Sequence, residues 1–525
     1  MARPIARNRG IEVYGVNDLR KSAKGTEARS ANRYRAVRLL IVATLVLTSA
    51  GCAHVFGTYG TAPNGLATGE DRLRQLLSSG RPGTAVERFD RDAPDDDVLR
   101  ALYQGVLAYH AGDYAGSAAI LDVAGEMADD RITKSVSRSA LSIVSNDLVL
   151  PYEPGPTERL MIPYYAALAR TRMGDVSGAA VEARRLSMLL QRYRDDDVGV
   201  DAPLAATLHL LAGAMFEANG NAGDADVAFR NASALDATLA GGARAAGAGS
   251  VFVIVEQGFI AHRVEQGLAV MLRPEEVHAI AHGEAGDRAA ASAYVAGRVL
   301  ERAAHSISYS DGRRYHNSTL YVPAPDHTDL PSRRTRTVCT TVENGEAGDS
   351  LSRPSTRREC TERDEDIDDL PYLLKVAWPV YRSEFRPASE LRLIGASTGP
   401  LPFATSAELS RGVIRDFERE RALIIARTIA RGTVKLAVTK GAERKIEEQN
   451  EVAARIVGLL GNIGSALLER ADTRSWHLLP AGLAVTRVDL PAGTHDMHIA
   501  IGGRTVAIVA TVESGRTNIL PVRVW

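Results

Sequence analysis

The chain is 525 residues long, which at roughly 100–200 residues per domain suggests about three domains. With 24% charged and 45% hydrophobic residues it reads neither as disordered nor as collagen-like, and a net charge of −1 leaves no basic footprint for nucleic acid. Aromatics are only 5% while Ala and Gly are abundant, which favours close-packed helices.

The charge is unevenly spread. Residues 1–51 hold ten Lys or Arg against Glu12, Asp18 and Glu27, so the remainder carries −8. Arg33, Arg35 and Arg38 precede the apolar run Leu39–Thr48, too short to cross a bilayer but the length of a signal-peptide core. The run closes on Ser49-Ala50-Gly51-Cys52, which resembles a bacterial lipobox. That resemblance implies a lipid on Cys52, removal of residues 1–51, and, because Ala53 is not aspartate, an outer-membrane anchor facing the periplasm. A plain secretory signal with a chance cysteine is the alternative. In an oxidising compartment Cys339 and Cys360 are expected to bridge, a disulfide contributing about 3 kcal/mol by loop closure. Two unpaired thiols are the other reading.

Residues 52–70 read as a tether. From 71 to 246 the pattern is helical, with glycines at the junctions: Gly105 and Gly112, then Gly213 and Gly220, each pair seven apart and each followed by small and apolar positions such as Leu121, Ala124, Ala225 and Phe229. A weaker copy is Ala167, Gly174, Ala179 and Ala183. This spacing resembles the tetratricopeptide (TPR) repeat, in which a small residue lets paired helices approach and the glycine turns the chain. The turn glycines are 62 and 46 residues apart rather than 34, so the array is irregular and a plain antiparallel bundle stays open. Stacked helix pairs of either kind form a curved surface suited to protein segments.

Asn146-Asp147-Leu-Val-Leu-Pro-Tyr152-Glu153 and the later Glu182-Ala-Arg-Arg185 carry a more specific likeness. Together with Ala471-Asp472-Thr-Arg474-Ser-Trp476 they resemble a family of bacterial TPR-containing lipoproteins, over most of residues 70–525. The resemblance implies an envelope location and an association with cell-wall synthesis, and it brings no catalytic residues. On physical grounds Asn146 and Asp147 are expected to cap a helix or bridge a loop, and Tyr152 to plug the next helix pair.

After Gly247 the period becomes extended. Val251–Val255 and Phe259–Val264 flank a turn at Glu256–Gly258, and further strands are expected at 318–322, 373–380 and 390–394. Residues 306–369 are polar, contain both cysteines, and read as a long surface insertion. A helix is expected at about 408–440, another carries Val452, Ile456, Leu459, Ile463 and Leu467 on one face, and 480–525 reads as a β meander. The expected class is α+β: a TPR-like helical domain over 71–246, then a β-sandwich-like module with inserted helices over 247–525.

Chemistry is sparse. His278 and His282 have helical i, i+4 spacing, yet the H-E-x-x-H order is missing, and His495 and His498 fall on opposite faces of a strand. No phosphate loop or nucleophile elbow occurs, so no catalytic residue, metal or cofactor is expected. Asp472, Arg474 and Trp476, with Asn146, Asp147 and Tyr152, are the candidate partner contacts, Trp as a stacking plane and Arg as a carboxylate clamp. The structural reading, which the residues favour, has Asp472 capping backbone amides, Arg474 pairing with it and Trp476 stapling helix to sheet. The function expected is a non-enzymatic scaffold that recruits a periplasmic protein, one of the cell-wall synthesis machinery on the family resemblance. The competing reading is a cell-wall glycan-binding module or envelope enzyme working at the helix–β junction.

Overall fold

The computed structural model describes residues 69–134, 148, 150–239, 247–307, 320–322, 333–343, 356–366, 372–388, 390–395, 399–447 and 469–525. The signal segment, Cys52, Asn146, Asp147 and the helix expected around 452–467 lie outside them. The described part is a mixed α and β structure, with helices concentrated in the N-terminal region and sheets following.

Eight helices come first: α1 (Gly69–Ser78), α2 (Pro82–Asp92), α3 (Asp97–Ala111), α4 (Tyr114–Lys134), α5 (Pro156–Arg172), α6 (Val176–Asp195), α7 (Ala202–Ala218) and α8 (Ala222–Leu235). Three tight turns, α3–α4, α5–α6 and α7–α8, carry Gly112, Gly174 and Gly220 at φ of +87°, +76° and +80°, where a side chain would be strained. Seven residues before two of these turns, small size is also required. A Cβ on Gly105 would lie 2.6 Å from Leu121, and one on Gly213 would lie 2.4 Å from Phe229. Both turn and approach therefore follow from the glycine spacing of the sequence.

The second half holds thirteen strands among the described residues. One sheet runs β13 (Thr517–Val524), β1 (Ala248–Gln257), β10 (Gly482–Pro491), β9 (Thr405–Glu408), with β1 parallel to β13 and antiparallel to β10. A second runs β12 (Arg504–Val512), β11 (Gly493–Ile501), β7 (Leu391–Ile394), β8 (Leu401–Pro402). Strand β1 is buried along its whole length because both its faces are covered. Val251, Val253 and Val255 join Met497, Ile499 and Ile508 of the second sheet, while Phe252 and Ile254 join the helices. This is the period of two at work, with one sheet serving two cores.

A separate core lies between β2 (His262–Leu272), β6 (Tyr372–Arg382), α9 (Pro274–His282), α10 (Ala285–Ile307) and α11 (Leu409–Glu447), with the short β3 (Leu320–Val322) beside β2. Helix α11 has 39 residues, about 58 Å at 1.5 Å per residue. Its Leu409 and Val413 sit in the helical core and its Ile425, Ile429 and Leu436 in the separate one, so it ties the two together. Its buried Arg431 is met by Glu469, with Nη2 2.8 Å from Oε1.

Three expectations are revised. The C-terminal residues are not a simple meander: β10 and β13 belong to the first sheet and β11 and β12 to the second. Strands β1 and β2 do not pair across the turn at Gly258 but enter different sheets. The polar insertion contains a regular hairpin, β4 (Arg333–Glu343) and β5 (Thr356–Asp366), in which Cys339 stands opposite Cys360. Cys360 is disulfide-bonded.

Candidate functional site

The first helices of the second and third pairs are enclosed. Helix α7 is buried continuously from Leu204 to Phe216, and α5 is buried over Thr157–Ala169 with Arg159 as the exception. A helix apolar on all sides must be covered on all sides. What covers these is the chain's own first sheet: Tyr164 Oη of α5 donates to Glu256 of β1 at 3.0 Å, Arg172 to the Pro521 carbonyl at 2.9 Å, and Thr517 Oγ1 of β13 to Glu217 of α7 at 2.8 Å.

The segment Ala471–Trp476 closes this junction. Trp476 N donates to Glu158 Oε1 at 2.9 Å, and the other oxygen of that carboxylate accepts from Tyr152 Oη at 2.5 Å and Gly155 N at 3.1 Å. Arg474 forks onto Asp472, with both contacts at 2.8 Å, and reaches the Leu150 carbonyl at 2.8 Å. Asp96, the N-cap of α3, accepts from Val98 N and Leu99 N and also from Tyr152 N. Thus Asp472, Arg474, Trp476 and Tyr152 are brought together, as one internal clamp. Trp476 is 0% exposed and Tyr152 2%, so neither ring offers a plane to a glycan or a peptide. For these two rings the contact reading is revised and the structural one holds: desolvating them stabilises the fold and removes them from the surface.

Beneath the clamp lies a set of buried titratable groups. His262 and His477 have ring centroids 4.8 Å apart, and Arg74 Nη1 is 3.4 Å from His262 Nδ1. Arginine can only donate, so Nδ1 holds the lone pair and the neutral ring carries its proton on Nε2. Burial, then the Arg74 charge, lowers the His262 pKa to about 4, and burial lowers His110 to about 3. Burial also raises the Glu256 carboxyl, opposed by Arg523. Glu256 was missed in the sequence because Glu256–Gly258 looks like a turn; its alternation with Phe252 and Ile254 was the available signal. His278 and His282 do share a face of α9, with centroids 5.3 Å apart, but no group of three or more metal-ligating side chains occurs among the described residues.

The open surface belongs to the second helices. Val123 of α4, Val181 and Met188 of α6 and Val227 of α8 are each about half exposed or more. Met188 and Arg192 form a ridge between two depressions. One, of about 210 Å³, lies among α4, α5 and α6 on a floor of Leu121, Ile162 and Pro163. The other, of about 610 Å³, lies among α6, α7 and α8 beside Phe216 and Val227. The Glu182–Arg185 segment braces this face. Glu182 is 3.5 Å from Arg170 and 3.4 Å from Arg185, and Arg184 reaches Asp224 of α8 at 2.8 Å.

No protein-family model, no curated protein and no solved structure matches this chain.

Proposed function

We propose that this protein is a bacterial envelope lipoprotein, anchored through Cys52 in the outer membrane and facing the periplasm, that acts as a protein-binding scaffold. Its partner is a periplasmic protein of the cell-wall synthesis machinery. In this reading the three helix pairs are an irregular TPR-like array and the two packed sheets a β-sandwich-like module. The observation that carries the proposal is the outward face of α4, α6 and α8. The inner helices are already covered by the chain's own sheet, whereas Met188 is 61% exposed beside two depressions. Exposed apolar residues beside fixed charges suit a protein interface better than a reaction centre.

A photo-crosslinking residue at Met188 tests this in the intact envelope. It should capture a defined periplasmic protein, and one at Val509, on β12 and also exposed, should not. Capture of glycan alone, or equal capture from both sites, would sink the reading. The anchor is tested separately: Cys52→Ser should abolish acyl-chain labelling and move the protein to the soluble periplasmic fraction.

A further inference from the structure

Among the described residues no third strand joins the hairpin β4–β5, and such two-stranded ribbons are marginal alone and invite a further strand. In the register of the hairpin only the end of β5 meets opposite charge, with Glu365 opposite Arg334 and Asp366 opposite Arg333. Arg357 stands opposite Val342, Arg358 opposite Thr341, Glu359 opposite Thr340 and Asp364 opposite Thr335. Arg363 stands opposite Arg336, a like-charge position that costs stability.

The same charges answer one another once the strand is reversed. From Arg357 to Glu365 the signs run plus, plus, minus, neutral, neutral, minus, plus, minus, minus, and about Thr361 three of the four mirror pairs invert, the fourth being Cys360 with Glu362. Laid antiparallel on itself with Thr361 at the centre, the strand sets Arg357 opposite Glu365, Arg358 opposite Asp364 and Glu359 opposite Arg363. A two-fold axis produces each of these twice, with no like-charge pair. A centre one residue earlier sets Arg357 opposite Arg363; one residue later sets Glu359 opposite Glu365. Strand β4 offers only Arg333 opposite Glu343 when centred on Val338. Cys360 and Thr361, at the middle of the self-complementary stretch, are exposed in the single chain.

We propose that two copies of this chain dimerise by antiparallel edge-to-edge pairing of β5 about a two-fold axis at Thr361, forming a four-stranded sheet β4–β5–β5–β4. The interface is isologous and closes, so it makes a dimer and not a fibre. Arg363 then gains Glu359 of the second copy beside its unfavourable Arg336 neighbour. The pairing is independent of the partner-binding face on α4, α6 and α8.

Sedimentation of the full chain over a concentration series tests it, with Cys52→Ser so that acylation cannot itself associate copies. The chain should dimerise at low salt and dissociate as salt is raised. Arg358→Glu and Asp364→Arg each turn two of the opposite-charge positions into like-charge ones and should weaken the dimer about tenfold or more. Both positions face threonine inside the hairpin, so the single chain should fold as before, checked by circular dichroism and an intact Cys360 disulfide. The double variant R358E/D364R should dimerise again, and the two single variants, when mixed, should form a heterodimer. A chain that stays monomeric throughout the series overturns the proposal. So do single variants that dimerise like the parent, or a double variant no tighter than the singles.

Discussion

Glu158 joins three backbone and side-chain donors from two distant parts of the sequence, so its carboxylate does more than one ordinary hydrogen bond. Glu158→Ala leaves Tyr152 Oη, Gly155 N and Trp476 N without that acceptor inside the protein, and a loss of about 3 kcal/mol is expected, read as a fall in melting temperature. The buried histidines set the acid limit. Between the ordinary histidine pKa of about 6.5 and the lowered value of about 4, the unfolded chain binds a proton at His262 that the folded chain refuses. Stability therefore falls as pH falls through that window, by up to about 3 kcal/mol for this group alone. His262→Gln should flatten the fall in melting temperature between pH 6.5 and 4, and an unchanged slope would remove His262 from the account. Part of this was legible in advance: Tyr152 and Trp476 read more readily as packing residues than as surface contacts, whereas Glu158 and the buried histidines carried no local signal, because their partners lie far away in sequence.

At the scale of elements, the helix pairs were the most legible part. A seven-residue spacing of small residue and turn glycine is a local constraint, and local constraints survive in sequence. It also predicts which glycines matter. Gly213→Ala places a Cβ 2.4 Å from the Phe229 ring and should cost about 1–3 kcal/mol. Gly297→Ala, within α10 with nothing inside 4 Å, should instead stabilise by about 0.5–1 kcal/mol. Chemical denaturation of both variants separates the cases. The strands were legible as strands but not as partners. Nothing in Val251–Val255 says that β1 will lie between β10 and β13, since those residues are far away in sequence and the apolar run suits any doubly covered position. The hairpin in the polar insertion was missed because its alternation is of charge and threonine, with few apolar residues to mark it.

For the whole molecule, the sheet and the helices cannot be separated without exposing both. Phe252, Ile254, Leu483 and Val485 belong to the same core as Leu168, Leu211 and Trp476, and α11 joins that core to the second one. Residues 71–246 produced alone should therefore keep helical far-ultraviolet dichroism but lose fixed near-ultraviolet signals and bind hydrophobic dyes. A sharply melting, dye-silent fragment would show that the helices need no cover. The surface left for other molecules is then the outer one, and its shape is set by a core that the sheet completes.

The position of β1 has a temporal consequence. Its neighbours β10 and β13 emerge from the ribosome long after the helices they cover, so the apolar sides of α5 and α7 stay uncovered for most of synthesis. Such late, long-range pairing is slow and leaves a sticky intermediate. A nascent chain of this design is well suited to being held unfolded by a chaperone until its last strand arrives, the state in which a chain can also be threaded through a narrow export channel.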